Sequence, residues 1–185
     1  ERGEILFTHF GVSGPAILDL SNAFAASNLN RARLIIDFLP VLPREELDRQ
    51  LQARFKQYPH RGVARALAGL LPERLLAYFE KSSDVTAQTD VCRLPKIARD
   101  KWLTRLKSTE LTITGARGLE HGEVTAGGVA WDQINPATLE SKRCPGLFFA
   151  GEILDIAGRC GGFNLQAAFS TGYLAGQSAA TLLPK

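Results

Sequence analysis

The chain has 185 residues, of which 45% are hydrophobic and 22% charged, and its formal net charge is +3. These values are typical of a globular protein with one large domain or two small ones, and no segment has the length of a membrane span or the pattern of a signal peptide. The three cysteines lack CxxC spacing, which argues against a disulfide framework or a zinc site. We therefore expect a cytoplasmic protein without a metal site.

The sequence contains no methionine, even at position 1, where Glu1 leads directly into a strand-like phrase. A newly translated chain begins with methionine. We therefore expect these residues to be part of a longer protein.

The first predicted elements are a short strand at residues 4–8 and a helix from Pro15, capped by Ser13 or Gly14. A cap of small residues can bind an anion, but many ordinary helices also begin this way, and we favour the structural interpretation. His9 could act as an acid or base. A single histidine beside a turn is more often structural, so we assign it no catalytic role.

The middle of the chain predicts a strand at residues 33–39, with alternating apolar and polar residues, and then a small helical subdomain at residues 44–107. In this subdomain a helix begins at Arg44, a second carries residues 63–71, a further turn begins at Pro72, and the last helix spans residues 96–107. Apolar residues recur there at helical spacing, which indicates helices that bury one face against one another. The positions expected to face inward include Leu47, Leu51, Phe55, Val63, Leu67, Leu70, Leu71, Leu75, Leu76, Phe79, Ile97, Leu103 and Leu106.

This helical middle is basic. Residues 44–107 contain 14 Lys and Arg against 8 Asp and Glu, a net charge of +6, so the rest of the chain carries −3. Because the charges are spread over helical positions, we favour a solvated helical surface and do not expect a nucleic-acid partner. The alternative is a non-catalytic module that binds nucleic acid or an acidic partner through this surface.

A half-buried strand is predicted at residues 111–114, and a second strand at residues 123–126 leads to Gly127 and Gly128. Adjacent glycines allow a ligand or another segment to approach closely, although they also fit a tight turn.

The most informative stretch is residues 146–176. A predicted strand at residues 147–150 ends at Gly151-Glu152, a glycine-rich loop spans residues 158–162, and a helix begins near Phe163. This order places a carboxylate and a row of backbone N–H groups at the carboxyl end of a buried strand. Open α/β folds bind nucleotides at such a position.

The last helix carries Ala168, Gly172 and Gly176 at four-residue spacing. A face with almost no side chains predicts close packing against a sheet. A membrane dimer motif has the same spacing, but the apolar stretch is too short to span a bilayer.

Three phrases carry a family resemblance: GEILFTHFGVSGPAILDLS (residues 3–21), EVTAGGVAWDQINPATLESK (123–142) and GLFFAGEILDIAGRCGGFNLQAAFSTGYLAG (146–176). In this order they resemble the YhiN/BaiN-type flavoproteins, a family that includes aminoacetone oxidase. The helical middle is similar only in general character. The family's amino-terminal ADP-binding fingerprint, G-x-G-x-x-G, is missing from this sequence.

The resemblance implies an α/β fold with a partial, Rossmann-like FAD-binding domain. Residues 1–122 would form most of an inserted domain, and residues 123–185 the closing part of the FAD domain. The parent would be an FAD-dependent oxidoreductase that transfers hydride between a small organic substrate, or NAD(P)H, and the flavin. Without the amino-terminal segment of the same protein, we expect the isolated chain to be inactive and to retain little FAD.

The resemblance also implies the cofactor-binding residues. Glu152 would accept hydrogen bonds from ribityl or ribose hydroxyls, although a solvent-facing or capping role is the alternative. The start of the last helix would face the pyrimidine side of the flavin, where its N–H groups stabilise negative charge. Cys160, beside this helix, could be a reactive thiol, but we favour a space-filling role. The implied contact residues are Thr125, Gly127, Gly128, Val129, Gly151, Glu152, Gly161, Gly162, Phe163, Asn164 and Leu165.

Overall fold

The computed structural model of the chain describes residues 1–27, 31–82 and 90–182. The chain forms two compact units, Glu1–Ala32 together with Thr114–Lys185, and Arg33–Ile113. Both helices and strands are present, as an α/β composition requires. The predicted domain boundary at residue 122 follows the family pattern and not this packing, and it stays a prediction.

The first unit begins with a hairpin and a helix. Strands β1 (Leu6–Thr8) and β2 (Gly11–Ser13) pair antiparallel, and helix α1 (Pro15–Ala26) follows with proline in its first turn. Gly14 is the cap residue and no side-chain hydrogen bond caps the helix, so Ser13 is not the cap. Gly14 has φ +97°, and an added Cβ would lie 2.9 Å from the Glu4 carbonyl oxygen, so the position requires glycine.

The second unit is the predicted helical subdomain between two strands. Strands β3 (Ala32–Ile36) and β4 (Thr109–Ile113) form a two-stranded sheet, and both show the predicted alternation of half-buried and exposed residues. The helices between them are α2 (Arg44–Gln57), α3 (Val63–Ala66), α4 (Glu73–Lys81) and α5 (Lys96–Lys107). The predicted second helix is thus a single turn that ends well before Leu71, since Gly69 takes a left-handed conformation with φ +84°.

The helices of this unit bury a common apolar core, as their periodicity predicts. Leu47, Leu51 and Leu106 are fully buried. The prediction that Ile97 faces inward is wrong, because this residue is 74% exposed. Trp102 packs inward instead, on the stripe of α5 that Ala98 and Leu106 share at four-residue spacing.

Several basic side chains of this unit hold its own backbone. Arg54 donates to the carbonyl oxygens of Ala66 and Ala68, and Arg105 to that of Phe79. Lys107 Nζ donates to two carbonyl oxygens and also pairs with Asp37 at 2.6 Å. These contacts satisfy carbonyl groups at helix ends and in turns, so part of the positive charge has a structural purpose.

Candidate functional site

The first unit contains a cavity of about 450 Å³ beside the start of the last helix, α6 (Phe163–Ala180). This volume lies within the range of small-molecule pockets, about 300–1,000 Å³. Residues of α1, the glycine-rich loop, the first turns of α6 and the segments at residues 122–124 and 151–156 line it.

Two strands predicted around this site are not formed among the described residues. Residues 147–150 make an isolated antiparallel bridge between Phe148 and Glu140, and residues 123–126 are irregular. A strand requires a continuous ladder of neighbouring backbone groups, and a single bridge does not supply one. The apolar side chains of Phe148 and Phe149 nevertheless pack on the buried cluster of Ile134, Leu139, Leu154 and Ala175.

A different pairing joins the two glycine-containing segments. Val129 N donates to Ile153 O at 2.8 Å, and Asp155 N donates to Val129 O at 3.1 Å. Gly128 lies directly against this partner, because an added Cβ would be 2.5 Å from the Ile153 carbonyl oxygen. Gly128 therefore permits close approach of the protein's own backbone, one of the two interpretations of the glycine pair.

Gly151 and Glu152 lie in a short 3-10 turn that α6 supports. Gly151 has φ +77°, and its N–H donates to Thr171 Oγ1 at 2.9 Å. Glu152 Oε1 accepts a hydrogen bond from Thr125 N at 2.7 Å. The Glu152 carboxylate thus links its own turn to the segment of Thr125, and the sequence predicted a cofactor contact in each of these segments. The carboxylate can still accept a hydrogen bond from a ligand.

The start of α6 presents unpaired backbone donors. Gly161 and Gly162 have φ values of +126° and +91°, and Gly162 is the cap residue, with no side-chain cap and no acidic residue in the first turn. Gln166 N donates to Gly162 O at 2.9 Å, which begins the intrahelical pattern. The N–H groups of residues 163–165 form no hydrogen bond with any part of the chain that the structure describes, so they can receive an acceptor group of a ligand.

Two side chains fix the glycine-rich loop. Asn164 Oδ1 accepts from Gly158 N at 2.7 Å while Asn164 Nδ2 donates to Gly158 O at 3.0 Å. Asp19 Oδ1 accepts from Cys160 N at 2.7 Å. Sequence reasoning missed Asp19, and the available signal was a lone carboxylate within the otherwise uncharged helix α1.

The structure brings together about half of the implied contact residues. Those that line the cavity are Gly151, Glu152, Gly161, Gly162, Asn164 and Leu165. The cavity lining does not include Thr125, Gly127, Gly128, Val129 or Phe163, and the side chain of Phe163 is exposed. The sequence also missed lining residues on α1 and at Glu123.

The small-residue face of α6 meets no sheet among the described residues, and its predicted close packing stays a prediction. A Cβ added at Gly172 or Gly176 would meet no atom within 4 Å. The helix packs on the turn at residues 151–153 through the neighbouring face, where Thr171 bonds to that turn and Ala175 is buried. Among the described residues, α6 and the other helices all lack the length or apolar character needed to cross a bilayer.

Cys160 lines the cavity and is exposed, and all three cysteines are free thiols. His9 stacks edge-on against Phe10, with ring centroids 5.1 Å apart. Among the described residues, neither side chain has a contact that indicates catalysis.

The Asn164 side chain should control local opening of the loop. We expect Asn164→Ala to speed amide hydrogen exchange of Gly158 about 5- to 30-fold, since removing one or two hydrogen bonds weakens local protection by about 1–2 kcal/mol. Exchange measured by NMR tests this, with Gln166→Ala as control because the Gln166 side chain donates to Ser170 Oγ within α6 and forms no bond to the loop among the described residues. Equal exchange in the two variants would contradict the assigned role.

Comparison with known proteins identifies the family of this chain. Residues 1–124 match the family model described as "HI0933-like protein barrel and H2TH domain". The chain is 31% identical over 182 residues to the 3-dehydro-bile acid delta(4,6)-reductase of Clostridium scindens, covering 97% of the chain and 44% of that protein. It is 30% identical over 178 residues to the ribosomal RNA dihydrouridine synthase of Escherichia coli, covering 95% of the chain and 42% of that protein.

A third relative, the ribosomal RNA dihydrouridine synthase of Haemophilus influenzae, is 31% identical over 170 residues, covering 92% of the chain and 40% of that protein. By name, these relatives are one reductase and two dihydrouridine synthases. The chain belongs to the HI0933-like family, as its resemblance to YhiN/BaiN-type proteins predicts. It spans less than half the length of these curated relatives.

Proposed function

We propose that the full-length protein is an FAD-dependent oxidoreductase and that residues 123–185 complete the ring end of its flavin site. The observation that carries this proposal is that Glu152 and the start of α6, at Gly161, Gly162, Asn164 and Leu165, line one cavity. In this proposal residues 1–122 form most of an inserted domain, and a Rossmann-like ADP-binding segment lies elsewhere in the parent.

The residues of the cavity suit a flavin ring. Glycines at 161 and 162 leave the helix start open, and no acidic side chain of the first turn of α6 occupies its N–H groups. The positive end of α6 stabilises an electron-rich edge by about 0.3–2 kcal/mol. Glu152 provides a charged acceptor for a hydroxyl group, while its bond to Thr125 N fixes its position.

The chemistry proposed is reduction of a carbon–carbon double bond conjugated with a carbonyl group. The names of the relatives share this feature, because a 3-dehydro-bile acid with double bonds at positions 4 and 6 and the uracil ring of uridine are both conjugated in this way. FAD, when bound, supplies the hydride for such a reduction after accepting it from a donor such as NAD(P)H. The chain's own contribution is to orient the ring, hold charge at its polar edge and keep the glycine-rich loop in place.

A charge-neutral variant of Glu152 tests the site. Glu152→Gln in the full-length protein should retain the bond from Thr125 N while losing the negative charge, because its amide oxygen still accepts. We expect FAD affinity to fall about 10- to 100-fold, since a hydrogen bond to a charged group contributes about 1.5–3 kcal/mol. Flavin fluorescence titration measures this, with the exposed Glu45→Gln as control. Unchanged affinity in Glu152→Gln would contradict the assigned role, and a full-length protein that binds no flavin would contradict the proposed function.

The second candidate function is the binding of RNA by the helical middle. Two relatives act on ribosomal RNA by name, and the helical middle has a net charge of +6, which favours RNA binding through that surface. Against it, Arg54, Arg105 and Lys107 are occupied by their own unit. A filter-binding assay with ribosomal RNA over a salt series distinguishes the two, because phosphate contacts weaken steeply with salt. Flat or absent binding would leave a small organic molecule as the proposed substrate.

A further inference from the structure

Three side chains with different donor atoms meet at the surface of the helical unit, which contributes none of the residues that line the cavity. His60 lies in the turn after α2, while Asp90 and Cys92 lie at the start of a 3-10 turn that spans Val91–Arg93. Their donor atoms all lie within 4.8 Å of one another, and His60 Nδ1 is 3.3 Å from Asp90 Oδ2. No step of the proposed function uses these residues.

The backbone holds the two segments side by side. Val91 N donates to Arg61 O at 3.0 Å, and Cys92 N donates to Pro59 O at 3.1 Å, so paired hydrogen bonds flank the cluster. Val91, between two of the donor residues, is 3% exposed and belongs to the core of the unit. The three side chains therefore project from anchored backbone, which distinguishes the cluster from a chance meeting of mobile surface groups.

The distances suit a tetrahedral ion. Two ligand atoms that are each about 2.0–2.1 Å from such an ion lie about 3.3–3.4 Å apart, which is the separation of His60 Nδ1 and Asp90 Oδ2. A sulfur ligand at about 2.3 Å lies about 3.5 Å from the other two, so Cys92 needs at most a small side-chain rotation.

We propose that His60, Asp90 and Cys92 bind a divalent transition-metal ion of the zinc class, with water as the fourth ligand. Imidazole, thiolate and carboxylate together favour a borderline-soft cation over Mg²⁺ or Ca²⁺, which prefer oxygen ligands. The spacing of the cysteines led us to expect no metal site. This proposal differs from that expectation because its ligands come from two segments that are distant in sequence. Arg61, which follows His60 in sequence, stacks on the Tyr58 ring with its Cζ 4.4 Å from the ring centroid.

The bound ion would act as a structural link. It closes the segment between residues 60 and 90, which includes α3 and α4, and so restricts the unfolded chain as a disulfide does. Without an ion, the pair of His60 and Asp90 is exposed and contributes little, about 0–1 kcal/mol at most, and Cys92 has no assigned role.

Cobalt titration tests the site directly. We expect the tag-free, reduced 185-residue chain to bind one Co²⁺ with a thiolate-to-metal absorption band, and one equivalent of Zn²⁺ to displace it. Cys92→Ser should abolish the band, and Cys92→Ser and His60→Ala should each weaken binding at least tenfold, since even residues behind the ligands alter affinity by about 10- to 100-fold. Zn²⁺ should also raise the melting temperature of the wild type and not that of the variants.

Cys144→Ser is the matched control, because Cys144 is likewise a free exposed thiol but lies in the other unit. It should bind Co²⁺ as the wild type does. Circular dichroism verifies that each variant is folded, as expected for side chains at the surface. Absence of the thiolate band, or equal affinity in the wild type and Cys92→Ser, would mean adventitious binding only and would overturn the proposal. Flavin binding by the full-length protein does not bear on either outcome.

Discussion

Replacement of Trp102 by alanine should lower the free energy of unfolding of the helical unit by about 3–5 kcal/mol. The side chain is 1% exposed and packs edge-on against Phe79, with ring centroids 6.3 Å apart. Alanine would leave a large cavity between α4 and α5 that the surrounding leucines cannot fill. Urea unfolding followed by circular dichroism measures the loss.

The conservative variant Trp102→Phe makes this prediction sharper. Within the described residues, Trp102 Nε1 is a buried donor without a hydrogen-bond partner, which disfavours the folded state. Phenylalanine removes this unpaired donor while keeping most of the packing, so it should cost less than about 1.5 kcal/mol. A loss in Trp102→Phe as large as in Trp102→Ala would show that the indole N–H is satisfied and would contradict this account.

Gly128→Ala should destabilise the unit that contains the cavity by about 2–6 kcal/mol, because two causes of about 1–3 kcal/mol each add. The residue has φ +134°, which L side chains rarely adopt, and strain of this kind costs about 1–3 kcal/mol. The added Cβ would also lie 2.5 Å from the Ile153 carbonyl oxygen and 2.9 Å from the Leu154 carbonyl carbon. Because these are backbone atoms, relief requires breaking the bonds between Val129 and its partners, at about 1–3 kcal/mol more.

Gly127→Ala is the matched control. Gly127 also has a left-handed φ, +95°, but an added Cβ would meet no atom within 4 Å, so only strain applies. The chain has two tryptophans, Trp102 in the helical unit and Trp131 in the other. In a Trp102→Phe background, the fluorescence of Trp131 therefore reports unfolding of the affected unit alone. Equal effects of the two glycine variants would contradict the assigned contact with Ile153.

The local patterns were sufficient to predict most of the helical unit. Periodic leucines predicted α2 and α5 to the residue at their starts, at Arg44 and Lys96, because proline before each helix and a continuous apolar stripe are signals within a few residues of sequence. The wrong prediction for Ile97 also comes from local spacing alone. Ile97 lies in the first turn of α5, beside the buried apolar stripe of this helix. Only the packing of α5 on its neighbours shows that Trp102 belongs to that stripe.

The site was predicted less completely, since its strands depend on partners distant in sequence. Gly151, Glu152 and the start of α6 converge as expected, because a glycine-rich turn before a helix exposes backbone donors whatever surrounds it. The bond from Thr125 to Glu152, the support of Cys160 N by Asp19 and the close contact at Gly128 join segments 25 or more residues apart. No local pattern contains that information.

The sequence by itself determined the family, the amphipathic helices and the glycine-rich helix start, because each depends on residue types at short, fixed spacing. The tertiary structure alone decided which glycines face the cavity, which face of α6 is buried, and that His60 meets Asp90 and Cys92. These features depend on contacts between distant segments. Such contacts are set by how backbones and side chains fill space together, and composition and periodicity do not encode that arrangement locally.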